Sequence, residues 1–336
     1  MSTWRRSVTA EAWFDERLNP DYADALTAFE EGMPDNYLDL DAASRRAIQE
    51  RSPVPEPDWV ARYVNWHEVF VPVEGTDRQV RVRVYTPRTG EHMRPCVLCI
   101  HGGGMWAGTL DSEHHVFARI AAIQDAVCVS VDYRLAPEHP FPAGLDDVMV
   151  ALRWAASCED LGADRSRIAL YGGSAGGGIA LGAALRARDE GGPALCFVQA
   201  IYPMVDPWSD TPSAYQLVRS GCGTWNRDNN IEGWRWYLAG QPPTIYSAPG
   251  TASVEELRGL PPVYMDVGEL DLFRDENLVL AARLCAAGVS TELHLTPGLF
   301  HGAENVVPEA SASRRLLSSR EAAMRRHIHP ELRPQW

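Results

Sequence analysis

The sequence lacks the long apolar runs and paired cysteines that would place it among membrane or disulfide-rich proteins. No stretch of its 336 residues approaches the ~20 apolar residues that a spanning helix needs. Acidic residues, and no secretory apolar run, follow the arginine pair Arg5 and Arg6, so no signal peptide is indicated. The seven cysteines are scattered and odd in number, which favours reduced thiols over a disulfide framework. We therefore expect a cytoplasmic protein without membrane insertion.

Positive charge is also scarce. The chain has 31 Lys and Arg residues against 45 Asp and Glu residues, which gives a net charge of −14. A field of this sign opposes polyanions, so we expect no nucleic-acid partner and no anionic membrane partner. A small neutral substrate remains compatible with it.

The sequence offers little that could bind a metal ion. Cys96 and Cys99 form a C-x-x-C pair, but the pair lies inside an apolar run that is typical of a strand. Residues three apart in a strand point to opposite faces, so the two sulfurs would diverge. We therefore expect no metal site and no redox role for this pair.

What the sequence contains is a regular alternation of strand-like and helix-like segments. Residues 63–204 and 256–336 alternate apolar β-rich runs with helical stretches, after a hairpin pattern centred on Gly75-Thr76-Asp77. This alternation predicts an α/β fold, with a mostly parallel central sheet and helices on both faces. In such sheets ligands bind beyond the carboxyl ends of the strands, so candidate residues should lie there.

Two segments depart from that alternation. Residues 1–62 are amphipathic and helical in pattern, interrupted by Pro34 and by prolines at 53, 55 and 57. Residues 205–255 are rich in aromatic residues, glycines and prolines, without a convincing strand. We expect the two segments to form a helical cap over the sheet. The alternative interpretation is that the tryptophans of 205–255 only pack a pair of core helices.

The clearest chemical signal is a serine between glycines at the end of a strand. The run RIALYG leads into Gly172-Gly173-Ser174-Ala175-Gly176 and then a helix, which is the strand–turn–helix context of a G-x-S-x-G nucleophile. Residues two before and two after the serine must lack side chains so that strand and helix can pass closely. A phosphate-binding glycine loop is the alternative, but the spacing and the absence of a following lysine disfavour it.

A second glycine run could stabilise an oxyanion. The strand CVLCI ends in His101-Gly102-Gly103-Gly104, and bare amides in this loop could approach a substrate oxygen together with the amide of Ala175. Each such donor is worth about 10²–10³ in rate. A plain tight turn is the alternative interpretation of the three glycines.

The base and the acid should follow the serine in the chain. Among the downstream histidines, His301 lies on a loop directly after the last predicted strand. The others are disfavoured because they fall within a strand or at a polar C-terminal helix: His294, His327 and His329. For the acid, Asp271 follows the strand PPVYMDVG, whereas Asp206 is a weaker candidate.

These residues resemble the motifs of the bacterial hormone-sensitive-lipase-like esterases, called family IV. The resemblance covers most of residues 66–305 and involves the glycine loop, the serine turn and three further runs: 132–143, 271–276 and 300–302. It implies an α/β-hydrolase fold with a helical cap, and cofactor-free hydrolysis of short- to medium-chain carboxylic esters. It further implies Ser174, Asp271 and His301 as the catalytic residues, and Gly103, Gly104 and Ala175 as the oxyanion donors.

Two departures from the family pattern affect the expected substrate pocket. The family usually carries Asp or Thr before the serine, where this chain has Gly173, and an aromatic residue after the glycine triplet, where this chain has Met105. The residues expected near the substrate are Met105, Trp106, Trp208 and Trp225. Acyl-chain preference cannot be carried over from the family.

Other functions and assemblies remain compatible with the sequence. The scissile bond could be an amide, a lactone or a specialised natural-product ester. A non-catalytic small-molecule receptor on the same fold is disfavoured, because all three triad residues are present. The last strand is expected at an exposed sheet edge, which would allow pairing into a homodimer.

Overall fold

A computed structural model describes residues 10–34, 37–49, 56–90, 92–217 and 224–332 of the chain. The prolines at 53 and 55, the Arg5-Arg6 pair and one of the seven cysteines, at 222, lie outside these ranges.

Eight strands form one sheet, as the alternating pattern predicts. They are β1 Val64–Pro72, β2 Gln79–Pro87, β3 Arg94–Ile100, β4 Val127–Val131, β5 Ala163–Gly173, β6 Phe197–Ile201, β7 Val263–Leu270 and β8 Thr291–Phe300. Their order across the sheet is β1-β2-β4-β3-β5-β6-β7-β8. The β1–β2 hairpin and the β2–β4 pair are antiparallel, and the other pairs are parallel. The predicted fold class is confirmed.

Helices occupy the segments between strands and cover both faces of the sheet. Those of the described N-terminal region are α1 Ala10–Asp15, α2 Ala23–Glu31, α3 Ala42–Gln49 and α4 Asp58–Tyr63. Those between and after the strands are α5 His114–Gln124, α6 Ala143–Ser157, α7 Ala175–Asp189, α8 Pro212–Gln216, α9 Arg227–Leu238, α10 Arg274–Ala286, α11 Ala303–Val306 and α12 Ser311–Ile328. Helices α8 and α9 both lie within residues 205–255, the segment expected to lack strands.

Strands β3, β4, β6 and β7 are buried on both faces, which explains their continuous apolar runs, whereas β1 and β8 at the sheet edges are partly exposed. Leu98 of β3 belongs to the larger core on one face of the sheet, and Val97 belongs to a second core on the other face. Cys96 and Cys99 divide between these two cores in the same way. Both sulfurs are free thiols, and burial raises the pKa of the Cys99 thiol. The C-x-x-C pair is therefore a packing feature.

A loop after β4 is fixed by ion pairs with β2 and α6. Asp132 and Arg134 of this loop each form an ion pair. Asp132 pairs with Arg81 of β2 at 3.0 Å, and Arg134 pairs with the buried Asp147 of α6 at 2.8 Å. The two residues thus hold the loop against a strand on one side and a helix on the other.

Candidate active site

The candidate site lies where the carboxyl ends of four strands meet at one edge of the sheet. The glycine loop follows β3, Ser174 follows β5, Asp271 follows β7 and His301 follows β8. The parallel arrangement brings these strand ends to the same edge although the residues are far apart in sequence.

Ser174 occupies a strained turn between β5 and α7. Its backbone dihedrals are φ 56° and ψ −121°, a conformation that L-residues rarely adopt. A methyl group added at Gly172 would lie 2.2 Å from the carbonyl oxygen of Gly176, and one added at Gly176 would lie 2.1 Å from that of Ile100. The glycines two residues either side of Ser174 are therefore required by close backbone packing.

Three side chains form a continuous hydrogen-bonded chain at this turn. His301 Nε2 lies 3.0 Å from Ser174 Oγ, and His301 Nδ1 lies 2.9 Å from Asp271 Oδ2. The Asp271 side chain is fully buried, and its other oxygen accepts a hydrogen bond from the Phe273 amide at 2.9 Å. The imidazole is therefore oriented by a carboxylate that is itself held in place.

Aromatic rings and a backbone contact fix the position of His301. The rings of Tyr202 and Phe273 meet the imidazole edge to face, with centroid separations of 4.6 and 5.1 Å. The Thr224 hydroxyl donates a hydrogen bond to the His301 carbonyl oxygen. This packing leaves the ring free to contact Ser174 and Asp271 while limiting its other rotamers.

The other acids and histidines considered from the sequence lie away from this chain of contacts. Asp206 accepts a hydrogen bond from the Trp208 amide at 2.9 Å. His294 contacts Glu292 at 2.7 Å on β8, and His327 stacks on Phe197. His329 contacts the Gln124 carbonyl oxygen at 2.6 Å.

The glycine loop lies beside Ser174 with free amides. Gly103 has φ 103°, and a methyl group there would lie 2.2 Å from the Ala107 carbonyl oxygen, so only glycine fits. Within the described residues the amides of Gly103 and Gly104 donate no hydrogen bond. Ala175 is the first residue of α7, so its amide has no acceptor one turn back in the helix. His101 is buried, stacks on Tyr133 and bonds within the loop, which fits an anchoring role.

A cavity of about 260 Å³ opens onto Ser174. Its lining residues are Gly102, Gly103, Gly104, Glu113, Gly173, Ser174, Tyr202, Thr224, Trp225, His301, Gly302 and Asn305. Sequence motifs did not indicate Glu113, Thr224 or Asn305. Tyr202 could have been suspected, because it directly follows β6.

Of the four residues expected near the substrate, one lines the cavity and three do not. Trp225 lines the cavity and hydrogen-bonds to Asn230 through its indole nitrogen at 3.2 Å. Trp106 is fully buried behind it, with its ring stacked on Trp225. Met105 is buried in the core, whereas Trp208 is 54% exposed and lies outside the cavity lining.

The described residues contain no group of three or more His, Cys, Asp or Glu side chains that could hold a metal ion. In the same part of the chain, no helix has the length and apolar character needed to cross a membrane. The site is thus described by its protein groups alone.

Known proteins resemble this chain in sequence and in fold. Residues 97–305 match a family described as α/β-hydrolase fold. Two similar relatives from Mycobacterium tuberculosis are the carboxylesterase NlhH, 39% identical over 74% of this chain and 79% of its own, and the esterase LipI, 39% identical over 72% and 78%. A solved bacterial heroin esterase superposes with a TM-score of 0.86 at 36% identity, covering 94% of this chain and 99% of its own. The chain belongs to the α/β-hydrolase-fold family, in its hormone-sensitive-lipase-like branch.

Proposed function

We propose that this protein is a serine carboxylesterase that hydrolyses small-molecule esters of short- to medium-chain acids. The observation that carries the proposal is the unbroken hydrogen-bonded chain Asp271–His301–Ser174 opening onto a cavity. The named activities of the similar proteins, an esterase and a carboxylesterase among them, support it.

The proposed reaction has two steps. His301 accepts the hydroxyl proton of Ser174 through Nε2 as Oγ attacks the ester carbonyl carbon. The tetrahedral intermediate collapses, the C–O bond to the alcohol breaks, and His301 returns the proton to the leaving alcohol. Water then attacks the acyl-enzyme by the same route, which releases the acid and restores Ser174.

Two groups stabilise the charges that develop in these steps. The free amides of Gly103, Gly104 and Ala175 are the proposed donors to the oxyanion. The Asp271 carboxylate holds the imidazole in the tautomer that leaves Nε2 unprotonated, and stabilises the imidazolium that follows. No cofactor enters the scheme.

Ser174→Ala tests the proposal directly. Without the nucleophile we expect turnover of p-nitrophenyl acetate and butyrate to fall by at least about 10³-fold, and labelling by a fluorophosphonate probe to vanish. Retention of a tenth of the wild-type rate would contradict the assignment. A panel of esters from acetyl to dodecanoyl, with lactones and amides, then defines the preferred bond and chain length.

The helices in the described parts of residues 1–62 and 205–255 are proposed to form a cap over this cavity. Arg45 of α3 pairs with Glu232 of α9 at 2.6 Å and lies over the Trp236 ring. Arg46 hydrogen-bonds to the carbonyl oxygens of Trp106 and Ala136. The Arg45 contacts support a joint unit of the described parts of 1–62 and 205–255. The Arg46 contacts attach this unit to the loops after β3 and β4.

A cytoplasmic location is also proposed. Six of the cysteines lie in the described residues, and all six are free thiols. This pattern is typical of a reducing compartment, and subcellular fractionation of the native host would test it.

A further inference from the structure

Glu113 is an acidic residue in the cavity wall that the proposed mechanism leaves without a role. It immediately precedes α5, and its carboxyl group lines the same cavity as Ser174. Its Oε1 accepts a hydrogen bond from the Gly102 amide at 2.7 Å. The carboxyl group therefore connects helix α5 to the first glycine of the loop that carries the free amides.

The contact lies where the glycine loop meets the serine turn. A methyl group added at Gly102 would lie 3.2 Å from the Gly173 carbonyl oxygen, and 3.4 Å from both Glu113 Oε1 and Ser174 Cβ. Neither Gly102 nor Gly173 has a side chain that could brace this junction. The Glu113 carboxyl group fills that role from outside both loops.

The remaining anchors of the loop act on other groups. Tyr133 donates its hydroxyl proton to the His101 carbonyl oxygen at 2.9 Å. The Gly103 carbonyl oxygen accepts from the amides of Trp106 and Ala107 at 3.1 and 2.9 Å. Glu113 is the acceptor that the described residues offer to the Gly102 amide. Losing it would remove the anchor at the N–H end of the His101–Gly102 peptide plane, whose carbonyl end Tyr133 holds, and so loosen the loop one residue before Gly103.

We propose that Glu113 is a positioning residue, whose carboxyl group holds the Gly102 amide so that the Gly103 and Gly104 amides point at the developing oxyanion. The proposal rests on the esterase function given above. It assigns Glu113 an effect on the transition state and little effect on substrate binding, because the free amides bind the oxygen most strongly when it carries charge.

The charge state of Glu113 should matter as well. Its pKa is raised to about 7, chiefly by burial and to a lesser extent by Glu304, while the hydrogen bond from the Gly102 amide and the charge of Arg320 oppose the shift. Other titratable groups that interact with it lie on β3, after β4 and on β5: Cys99, Tyr133 and Tyr171. The neutral acid still accepts the Gly102 hydrogen bond, whereas the carboxylate adds a negative charge beside the oxyanion. The neutral form is therefore the better catalyst.

Two variants separate these effects. Glu113→Ala removes the acceptor, so we expect kcat to fall about 10- to 100-fold with KM changed less than threefold. Glu113→Gln keeps an acceptor oxygen and cannot ionise, so we expect its kcat to match the wild type near pH 6. The ratio of its kcat to the wild-type kcat should then rise severalfold between pH 6 and pH 8.5. Any other pH dependence that the two enzymes share cancels in this ratio.

A transition-state analogue provides a readout that does not depend on turnover. A trifluoromethyl ketone adds the Ser174 oxygen to its carbonyl carbon, the hydroxyl proton passes to His301, and the oxygen anion of the adduct occupies the donor site. We expect inhibition of Glu113→Ala to weaken in proportion to its loss of kcat. Glu159→Gln, which changes a side chain that is 90% exposed, is the matched control.

The outcomes distinguish this proposal from the function on which it rests. An inactive wild-type enzyme would contradict the esterase assignment itself. An active wild type with Glu113→Ala within twofold of its kcat and its inhibitor affinity would overturn the positioning role. If Glu113→Ala proves unstable, the Glu113→Gln ratio decides, and a ratio that stays flat or falls with pH contradicts the charge effect.

Discussion

At the scale of single residues, the site depends on backbone positions that tolerate no side chain. Ser174 has a positive φ, and the carbonyl oxygens that surround Gly172 and Gly176 lie too close for a Cβ atom. These constraints are visible in the sequence because they demand glycine at fixed offsets from the serine. The serine turn was therefore the most predictable part of the site.

Asp271→Asn tests the residue that orients His301. The amide can donate to Nδ1 and so favours the wrong imidazole tautomer, and we expect kcat to fall about 10³- to 10⁴-fold. Steady-state hydrolysis of p-nitrophenyl butyrate provides the measurement. Asp206→Asn is the matched control, because Asp206 contacts the Trp208 amide and not His301. Equal losses in the two variants would exclude the assigned role of Asp271.

Other residues of the cavity could not be predicted, because their places depend on tertiary packing. Glu113 and Asn305 follow no motif: Glu113 lines the cavity from just before α5, and Asn305 lines it from within α11. The ion-pair partners of Asp132 and Arg134 could not be predicted either, since Arg81 lies on a strand distant in sequence and Asp147 is one of two adjacent acidic residues in α6. Charge alone indicates that a residue needs a partner without indicating which.

At the scale of elements, the strands were predictable and the segment 205–255 was not. Strands β3, β4, β6 and β7 are buried on both faces, so their apolar composition marks them clearly. In the inserted segment, the seven aromatic residues share a pattern that does not separate buried from exposed positions. Trp225 lines the cavity and Trp208 is exposed, a difference that residue type does not reveal.

Trp225→Ala should change the acyl-chain preference. The edge of the Trp225 indole packs against Gly104. A methyl group added at Gly104 would lie 2.4 Å from the nearest atom of the Trp225 ring. Removing the ring opens apolar space beside the free amides, so we expect the octanoyl-to-acetyl ratio of kcat/KM to rise about tenfold. Trp208→Ala, which removes an exposed ring, should leave this ratio unchanged. An unchanged ratio in Trp225→Ala would place the acyl chain elsewhere.

At the scale of the whole molecule, a buried ion-pair network ties the C-terminal helix to the site. Arg320 of α12 contacts Asp266 of β7 at 2.7 and 2.9 Å and Glu304 at 2.7 Å. Glu304 in turn accepts the Tyr202 hydroxyl at 2.7 Å, and the Tyr202 ring packs on His301. Packing of the last long helix and placement of the base are therefore coupled.

Arg320→Ala should destabilise the fold strongly. It leaves two buried carboxyl groups without their cation, which costs about 3–5 kcal/mol. Urea unfolding followed by circular dichroism measures the change. Arg314→Ala, in a pair whose side chains are 62% and 88% exposed, should change the free energy of unfolding by less than about 0.5 kcal/mol. Similar values for both variants would contradict a stabilising network.

The sheet edge at β8 allows a prediction about the oligomeric state. Strand β8 lies at one end of the strand order, with Leu295 of its outer part 45% exposed. We propose that two copies pair along β8 into a homodimer. Sedimentation velocity should show a dimer at micromolar concentration, and Leu295→Lys should shift it to monomer. A monomeric wild type would refute the pairing.

The spacing of the catalytic partners has a consequence for how the enzyme can be monitored. Ser174 and His301 are 127 positions apart, and strands β6 and β7 separate the strands that carry them. Ser174 and His301 stay aligned only while the four neighbouring strands β5 to β8 remain hydrogen-bonded side by side. Esterase activity therefore reports sensitively on whether the sheet is folded. We expect this activity to be lost during heating no later than the circular dichroism signal of the folded protein.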